Sequence, residues 1–436
     1  MSYVPKRRLK IKWKVAVPFF TLIVLVIYLL ANLVFFPNKE DEDGFTACNF
    51  TPSKTASFIN KSYENQTTIS DYFYYGETLN LLKDPYDVMK ADEMIGKTLK
   101  LVDVCTGTEL LFSLESKADH QLNLAEVANG FYEVYVVYNL SDQRVVSPTV
   151  IRDEFHTITR NDASKKIELI ADKNLLGTDE GKVLDQNYLF LSVSDDVKQT
   201  NSVDIMIDPA GGNDDYGMGV DWGYEYNGLN ENDEMYKAAV ALKEKLEAYG
   251  FTVGITKDSE RQEINTYGEN GRLKKAYEKN AKYYINLQFN ASAYDYVSGM
   301  EVYYSNYASP TFATQLLYDL NKEVGLKGSS LYSTGTGTDG VVPPVLAEGD
   351  DGRSVYDSIL QIRESGGIAT QAGLISEKAR NENAFATDNK HGMQSVLVKF
   401  LYISNSEDAQ FWQTNFDQII DEMANSIATY LKVTKE

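Results

Sequence analysis

Histidine and cysteine are scarce in this chain. Its 436 residues include three histidines, His120, His156 and His391, and two cysteines, Cys48 and Cys105. Because only His391 lies beyond residue 203, a metal site in the C-terminal half cannot hold two histidine ligands of its own. The two cysteines leave two alternatives open, a disulfide or two free thiols. A disulfide closing this loop would stabilise the fold by about 4 kcal/mol in the chain-entropy model.

Basic residues are also few relative to acidic ones. The chain has 42 Lys and Arg against 63 Asp and Glu, which gives a net charge of −21. Residues 1–36 contain six of the cations and no acid, so the rest of the chain carries −27. This charge argues against nucleic acid as a partner. It also disfavours direct electrostatic binding to an anionic membrane or polymer.

Near the N-terminus lies an uncharged apolar run over residues 15–36. Its 22 residues are enough for a helix to cross a hydrocarbon core about 30 Å thick. The six cations precede the run and four acids follow it, which predicts a cytoplasmic N-terminus. The alternative is a cleaved signal peptide, whose apolar part is shorter, about 7–15 residues. We therefore predict a basic cytoplasmic tail over 1–14, a single-pass transmembrane helix over 15–36 in the cell membrane, and extracellular domains after it.

The region that follows has the pattern of β-structure. Residues 37–69 are polar with little periodicity and predict a linker. Between residues 70 and 196, runs such as LKLVDV, FYEVYVVYN and YLFLSVS alternate apolar and polar residues and are separated by turns. This pattern is typical of an all-β sandwich. The stretch LNLAEVANGFYEVYV resembles the closing hairpin of bacterial immunoglobulin-like modules, so the expected fold is an immunoglobulin-like sandwich.

From Val203 onward the pattern becomes α/β. VDIMID predicts a short buried strand that ends in a glycine-rich loop, and Asn230 or Asn232 can cap the helix that follows. FTVGIT and YYINLQFN predict further strands, and the last helix has apolar residues on one face from Phe416 to Tyr430. Strands and helices that alternate in this way predict a mostly parallel sheet with helices on both faces.

Four segments of this region carry a resemblance to a known enzyme family. They are VDIMIDPAGGNDDYG, YYINLQFNAS, SGMEVYYSN and SVLVKFLYISN. In order and spacing they resemble segments of the zinc-dependent N-acetylmuramoyl-L-alanine amidases, which cut the stem peptide from the glycan strands of peptidoglycan. The resemblance implies an amidase-like domain over about residues 203–432. It also implies a site in which two histidines and a glutamate bind zinc and a second glutamate is the general base.

Most of these site residues are replaced here. Gly211 stands at the first histidine position, Gln288 at the second and Lys399 at the general-base position, while Glu231 matches the ligand glutamate. Glycine has no side chain, a neutral amide is a poor zinc ligand, and a charged lysine cannot accept a proton. We therefore predict no bound zinc, no other cofactor and no catalysis.

Further predictions concern the pocket at these positions. We expect Lys399 to form an ion pair with Glu231 in the space of the zinc, since an unpaired buried lysine would be costly. An alternative is a Ca²⁺ or Mg²⁺ site built from acids of this region. The predicted pocket residues are Asp208, Asp215, Glu231, Gln288, Asn290 and Lys399; the acids of the alternative cation site are Asp208, Asp214, Asp215, Glu231 and Glu301.

The favoured function is that of a membrane-anchored, inactive amidase-like cell-wall protein. Its expected partners are peptidoglycan or a wall protein that it regulates. Two alternatives stay open: an active peptidoglycan amidase with a non-standard site, and an adhesion or assembly protein that acts through its β domain.

Overall fold

The computed structural model describes residues 63–434. Gaps in this range are residues 85–89, 162, 176–182, 197–201, 216, 267, 269, 333–338, 349–354 and 366–389. The predicted tail and transmembrane helix lie outside the described residues, and among the described helices none is long and apolar enough to cross a membrane. Cys105 is disulfide-bonded. Cys48 lies outside the described residues, and the pairing of the two stays a prediction.

The N-terminal half of the described chain is built from strands. They are β1 (Gln66–Thr68), β2 (Asp71–Tyr75), β3 (Thr78–Leu82), β4 (Thr98–Asp103), β5 (Glu109–Ser113), β6 (Leu122–Asn123), β7 (Gly130–Tyr138), β8 (Ser141–Val146), β9 (Ile151–His156), β10 (Ser164–Ala171) and β11 (Leu189–Asp196). The strands predicted from alternating runs all form. Strand β1, however, lies in the predicted linker 37–69, where its three residues pair with β8.

These strands form two sheets around one core. The larger sheet has eight strands in the order β1-β8-β7-β11-β10-β9, with β4 and β5 joined to it through β7. The smaller sheet contains β2, β3 and β6. Tyr74 and Leu79 of the smaller sheet and Leu99, Val136 and Leu169 of the larger one are buried in the same apolar cluster. This packing follows from the period-two pattern, which puts apolar side chains on one face of each strand.

The predicted hairpin over LNLAEVANGFYEVYV is wrong. Strand β6 pairs with β3 in the smaller sheet, whereas β7 pairs with β4, β8 and β11 in the larger one. A short 3₁₀ turn over Leu124–Glu126 joins them, and the Tyr132 hydroxyl donates to the Ala128 carbonyl at 2.7 Å. The segment is therefore a corner between two sheets.

The C-terminal half alternates strands and helices. The strands are β12 (Ile205–Pro209), β13 (Glu225–Tyr226), β14 (Leu229–Asn230), β15 (Val253–Ile255), β16 (Tyr283–Asn290), β17 (Glu301–Tyr304), β18 (Val341–Val342), β19 (Leu346–Glu348), β20 (Val355–Asp357), β21 (His391–Gly392) and β22 (Gln394–Tyr402). The α-helices are α1 (Glu231–Glu247), α2 (Arg272–Glu278), α3 (Thr311–Asp319), α4 (Leu360–Ser365) and α5 (Ser406–Tyr430). Of the two predicted caps, Asn230 begins α1, because its side chain accepts from the Asp233 amide at 3.2 Å.

The predicted α/β architecture is confirmed. Six strands form a sheet in the order β15-β12-β16-β22-β17-β18, and all neighbours are parallel except β17 and β22. Helices α1, α3 and α5 bury their apolar faces in one cluster with this sheet, and α2 packs in a second cluster through Leu273 and Ala276. The carboxyl ends of β12, β16 and β22 lie at the same edge of the sheet because these strands are parallel.

The two halves share a sheet. Strand β21, from the C-terminal half, adds to the smaller sheet of the N-terminal half by pairing with β2. Its His391 imidazole lies 3.2 Å from the Asp153 carboxylate and against the Tyr74 ring. At the same junction, the Arg160 guanidinium pairs with the buried Glu77. The Arg160 guanidinium also donates to the Leu431 carbonyl at 3.0 Å, so the division predicted at residues 196–203 is crossed by one strand and by side-chain contacts.

Candidate functional site

One cavity collects all four positions that the sequence assigns to the amidase site. Gly211 lies in the loop after β12, Glu231 is the first residue of α1, Gln288 lies in β16 and Lys399 in β22. Gln288 and Lys399 are register neighbours on adjacent strands. The cavity measures about 270 Å³ and lies at the carboxyl edge of the sheet. Its lining residues are Asp208, Ala210, Gly211, Asn213, Asp221, Gly223, Tyr224, Glu231, Thr266, Arg272, Asn286, Gln288, Gln361 and Lys399.

Two predicted pocket residues do not line this cavity. Asp215 accepts hydrogen bonds from the Thr266 amide at 2.7 Å and from its hydroxyl at 2.6 Å, so it holds a lining loop from behind. Asn290 comes two residues after Gln288, where the pairing between β16 and β22 is irregular. Its side chain is buried and is not among the residues that line the cavity.

The floor of the cavity is a buried hydrogen-bond network around Asp208. Its carboxylate accepts from Thr256 at 2.6 Å, Arg272 at 2.8 Å, Tyr284 at 2.6 Å and Asn286 at 2.5 Å. Asp208 is fully buried, so these donors replace the water it loses. The sequence singled out Asp208 as a pocket acid, whereas Arg272, the first residue of α2, was not predicted.

Two buried cations hold the loop at the first family ligand position. The Lys257 ammonium donates to the Gly211 carbonyl at 3.2 Å and also to the Asn232 side chain. The Arg272 guanidinium donates to the same Gly211 carbonyl. Burial, with the nearby Arg272, lowers the pKa of Lys257 to about 8. Lys257 was not predicted, since a lysine after an apolar strand is usually an exposed residue.

Gly211 adopts a conformation that excludes a histidine. Its φ is +85°, in the left-handed region that disfavours residues with a side chain. A Cβ built there would lie 2.7 Å from the Cβ of Asn232. The loop backbone, in addition to the residue type, therefore departs from a metal-binding arrangement.

Glu231 matches the family's ligand glutamate, and its oxygens already accept backbone hydrogen bonds. One oxygen accepts from the Phe289 amide at 2.7 Å and the other from the Tyr224 amide at 3.0 Å. Burial raises the pKa of this carboxyl above its ordinary value, while the two amides act in the opposite direction. Glu231 thus ties the hairpin of β13 and β14 to strand β16.

Lys399 lies near two glutamates, Glu231 and Glu301, and forms an ion pair with neither. On β17 its register neighbour is Glu301, whose carboxylate accepts from the Tyr402 and Tyr303 hydroxyls at 2.6 and 2.8 Å. The expected ion pair with Glu231 is not formed, because the Glu231 oxygens are engaged by amides. Burial lowers the pKa of Lys399, and the charges of Glu301 and Glu231 partly counter this effect. Among the described residues, its ammonium makes no hydrogen bond or ion pair.

The donor set at these positions does not fit zinc. Gly211 has no side chain, Gln288 offers a neutral amide, and Lys399 would repel a cation whenever it is protonated. The alternative Ca²⁺ or Mg²⁺ site is also not formed: in the part of the chain that the structure describes, no group of three or more acids, histidines or cysteines is placed to hold a metal. The carboxylates of Asp208 and Glu301, for example, accept hydrogen bonds from protein side chains.

The sheet order, the helix packing and the cavity define an α/β protein with its candidate site at the carboxyl edge of a mostly parallel sheet. The sequence model of the N-acetylmuramoyl-L-alanine amidases (Amidase_3) matches residues 205–429. The chain therefore belongs to the N-acetylmuramoyl-L-alanine amidase family, and it is a cell-wall amidase-like protein.

Solved structures similar to this chain carry the same description. The catalytic domain of CwlV, an N-acetylmuramoyl-L-alanine amidase from Bacillus (Paenibacillus) polymyxa var. colistinus, is 19% identical; the match covers 53% of this chain and 98% of that one, with a TM-score of 0.36. The amidase AmiC2 of Nostoc punctiforme is 18% identical over 52% of this chain and 96% of its own, with a TM-score of 0.35. Comparison with curated protein sequences gave no match.

Proposed function

We propose that this chain is an amidase-like protein that binds peptidoglycan outside the cell without cleaving it, as a binding or regulatory component of wall remodelling. One observation carries this proposal. The four family positions surround a single cavity, yet they supply a glycine, an amide, a carboxylate held by backbone amides, and an ammonium. A hydrolase of this family would need a zinc-bound water and a carboxylate base there.

The cavity itself supports binding. The side chain of Gln288 and the ammonium of Lys399 both line it, and within the described chain neither makes a hydrogen bond. These two groups can donate to carbonyl oxygens, and Gln288 can also accept from an amide, which is the chemistry of a peptide backbone. Family membership gives the ligand class, peptidoglycan.

The test uses the full-length chain in mild detergent. We expect no stoichiometric zinc by elemental analysis, no release of stem peptide from peptidoglycan with or without added Zn²⁺, and co-sedimentation with purified sacculi. An active family member serves as the positive control for release. Zinc at one equivalent, or release of stem peptide, would establish the active amidase instead.

We also propose that residues 15–36 anchor the protein in the cell membrane with the later residues outside. The support is the pattern of six cations followed by 22 uncharged residues. Protease added to intact protoplasts should degrade everything beyond the anchor. Full protection of the C-terminal half would contradict this orientation.

For the N-terminal half we propose an immunoglobulin-like sandwich. The support is the corner at Tyr132, whose hydroxyl bonds back to the Ala128 carbonyl, a contact typical of immunoglobulin-fold corners. An experimental structure with residues 122–138 in a single sheet would contradict the proposal.

A further inference from the structure

Two exposed tyrosines form a pair on the loop after β16. The side chains of Tyr294 and Tyr296 are 62% and 74% exposed. Their ring centroids lie 5.6 Å apart at an interplanar angle of 33°. We call this pair the tyrosine platform. Within the described residues neither hydroxyl makes a hydrogen bond, so both rings and both hydroxyls face solvent.

The backbone of this loop is held from beneath. The Ser292 amide donates to the Ser404 hydroxyl at 2.9 Å, and the Tyr294 amide donates to the Ser292 hydroxyl at 3.0 Å. The Asn405 side chain donates to the Asp295 carbonyl at 2.8 Å. The backbone beneath the tyrosine platform is therefore already ordered. The loop loses less conformational entropy when a ligand binds than a free loop would.

The tyrosine platform lies at the same edge of the sheet as the cavity. Its loop follows β16, which carries Gln288, and it is tied to residues 403–405, which follow the strand of Lys399. A second loop is tied there too, because the Asn227 side chain donates to the Ile403 carbonyl at 2.9 Å. That loop carries Tyr224 and Tyr226, each 48% exposed. Tyr224 also lines the cavity.

Sugar rings fit this surface better than peptide or anionic polymer does. Tyrosine offers an apolar face for the C–H groups of a pyranose and a hydroxyl for its polar edge. Asp295, between the two rings in sequence, is exposed and can accept hydrogen bonds from sugar hydroxyls. The charge of −27 beyond residue 36 disfavours acidic ligands, whereas the sugar backbone of intact peptidoglycan is uncharged, because its lactyl carboxyls are joined to the stem peptides as amides.

We propose that the tyrosine platform is a glycan subsite, which binds the N-acetylated amino-sugar backbone of peptidoglycan beside the cavity. The inference rests on the proposed function, since it names the part of peptidoglycan that this edge of the protein contacts. The stem peptide is then left to the cavity of Gln288 and Lys399.

The experiment measures binding of the full-length chain in detergent to three probes: intact sacculi, oligomers of N-acetylglucosamine as an uncharged, peptide-free glycan, and free stem peptide. The test variant is Tyr294→Ala with Tyr296→Ala. The control is Tyr318→Ala, a tyrosine on helix α3 that is 58% exposed. A third variant, Tyr294→Phe with Tyr296→Phe, keeps the rings and removes the hydroxyls.

We expect the alanine pair to weaken binding to peptide-free glycan about tenfold, as the loss of two aromatic contacts implies. The phenylalanine pair and Tyr318→Ala should remain within about twofold of the unmodified chain. Unchanged glycan binding by the alanine pair would overturn the subsite and leave the proposed function standing. Binding of the unmodified chain to sacculi and stem peptide, but not to peptide-free glycan, would overturn the glycan ligand. If the unmodified chain binds no probe, the proposed function fails together with the subsite.

Discussion

The floor and the rim of the cavity differ in how completely their polar groups are satisfied. On the floor, Asp208 is buried and accepts from four side chains. On the rim, Gln288 and Lys399 line the same cavity, and among the described residues their side chains find no hydrogen-bond partner. On the floor the Asp208 carboxylate is fully engaged, while the rim carries two polar side chains that can form hydrogen bonds to a ligand.

The floor residues are constrained by the stability of the fold, whereas the rim residues are constrained by the ligand or the chemistry of the site. A buried carboxylate stabilises only if its charge and lone pairs are matched, so the floor must be kept as a unit. The donors of the floor network do not include Gln288 or Lys399, so these rim positions can change without breaking the network.

The largest effect on stability is expected when the charge of Asp208 on the cavity floor is removed. Asp208→Asn should lower the free energy of unfolding by about 3–5 kcal/mol, because the buried Arg272 then lacks its counter-charge. Denaturant unfolding measures the change. The matched variant is Asp221→Asn, an exposed acid that lines the same cavity, with an expected loss below about 1 kcal/mol. Equal losses in the two variants would erase the distinction between floor and rim.

A second test concerns the backbone at the first family position. Gly211→Ala should cost about 3 kcal/mol, from its φ of +85° and from the 2.7 Å approach to Asn232. Gly250→Ala has a similar φ of +90° with nothing within 4 Å of the new Cβ, and should cost about 1 kcal/mol. The difference between the two costs measures the steric overlap of the new Cβ at position 211 with Asn232. Equal costs would mean that the loop adapts, and that Gly211→His with Gln288→His and Lys399→Glu could assemble a zinc site.

The pH dependence of the free energy of unfolding tests whether Lys257 is buried with a lowered pKa. Its folded pKa, about 8, lies below that of an unfolded lysine, so its contribution to stability is full above about pH 10.5 and is lost as the pH falls through 8. Between pH 7 and 10, the unmodified chain should therefore gain about 2 kcal/mol relative to Lys257→Met. Lys279→Met, at an exposed lysine, should leave the profile unchanged. Parallel profiles for the unmodified chain and Lys257→Met would show that Lys257 is solvated.

The smallest effect is expected on the rim. Lys399→Met removes a desolvated ammonium that has no hydrogen-bond partner among the described residues, and it also removes the attraction to Glu301 and Glu231. These two contributions oppose each other, so the free energy of unfolding should change by less than about 1 kcal/mol. A loss above 3 kcal/mol would show that Lys399 belongs to the structural network.

Much of the fold could be predicted because local pattern and tertiary structure agree. The alternating runs of the N-terminal half became strands, and Asn230 capped its helix as its side chain allows. The order of strands and helices then brought Gly211, Glu231 and Gln288 to one cavity, since parallel strands end at the same edge. The four family positions were thus accessible through the resemblance, whereas Asp215 and Asn290, also predicted for the pocket, do not line it.

What the sequence did not reveal depends on partners far away in the chain. Asp208 is matched by Arg272 and Tyr284, and no local pattern selects them. Lys257 is buried because the loop carbonyl of Gly211 needs a donor. The failed ion pair between Lys399 and Glu231 has the same origin, because backbone amides had already taken the carboxylate.

Strand β21 has a consequence for how the chain is made. Residue Tyr74 pairs with His391, so the smaller sheet obtains its outer strand only after nearly the whole chain has been synthesised. Until then β2 is an open edge with Tyr72 and Tyr74 beside unpaired backbone groups, which is a template for association with other chains. Pairing over such a distance is also slow. Truncated chains that end before residue 390 should therefore aggregate. They contain all of strands β1 to β11 and lack only β21 from the smaller sheet.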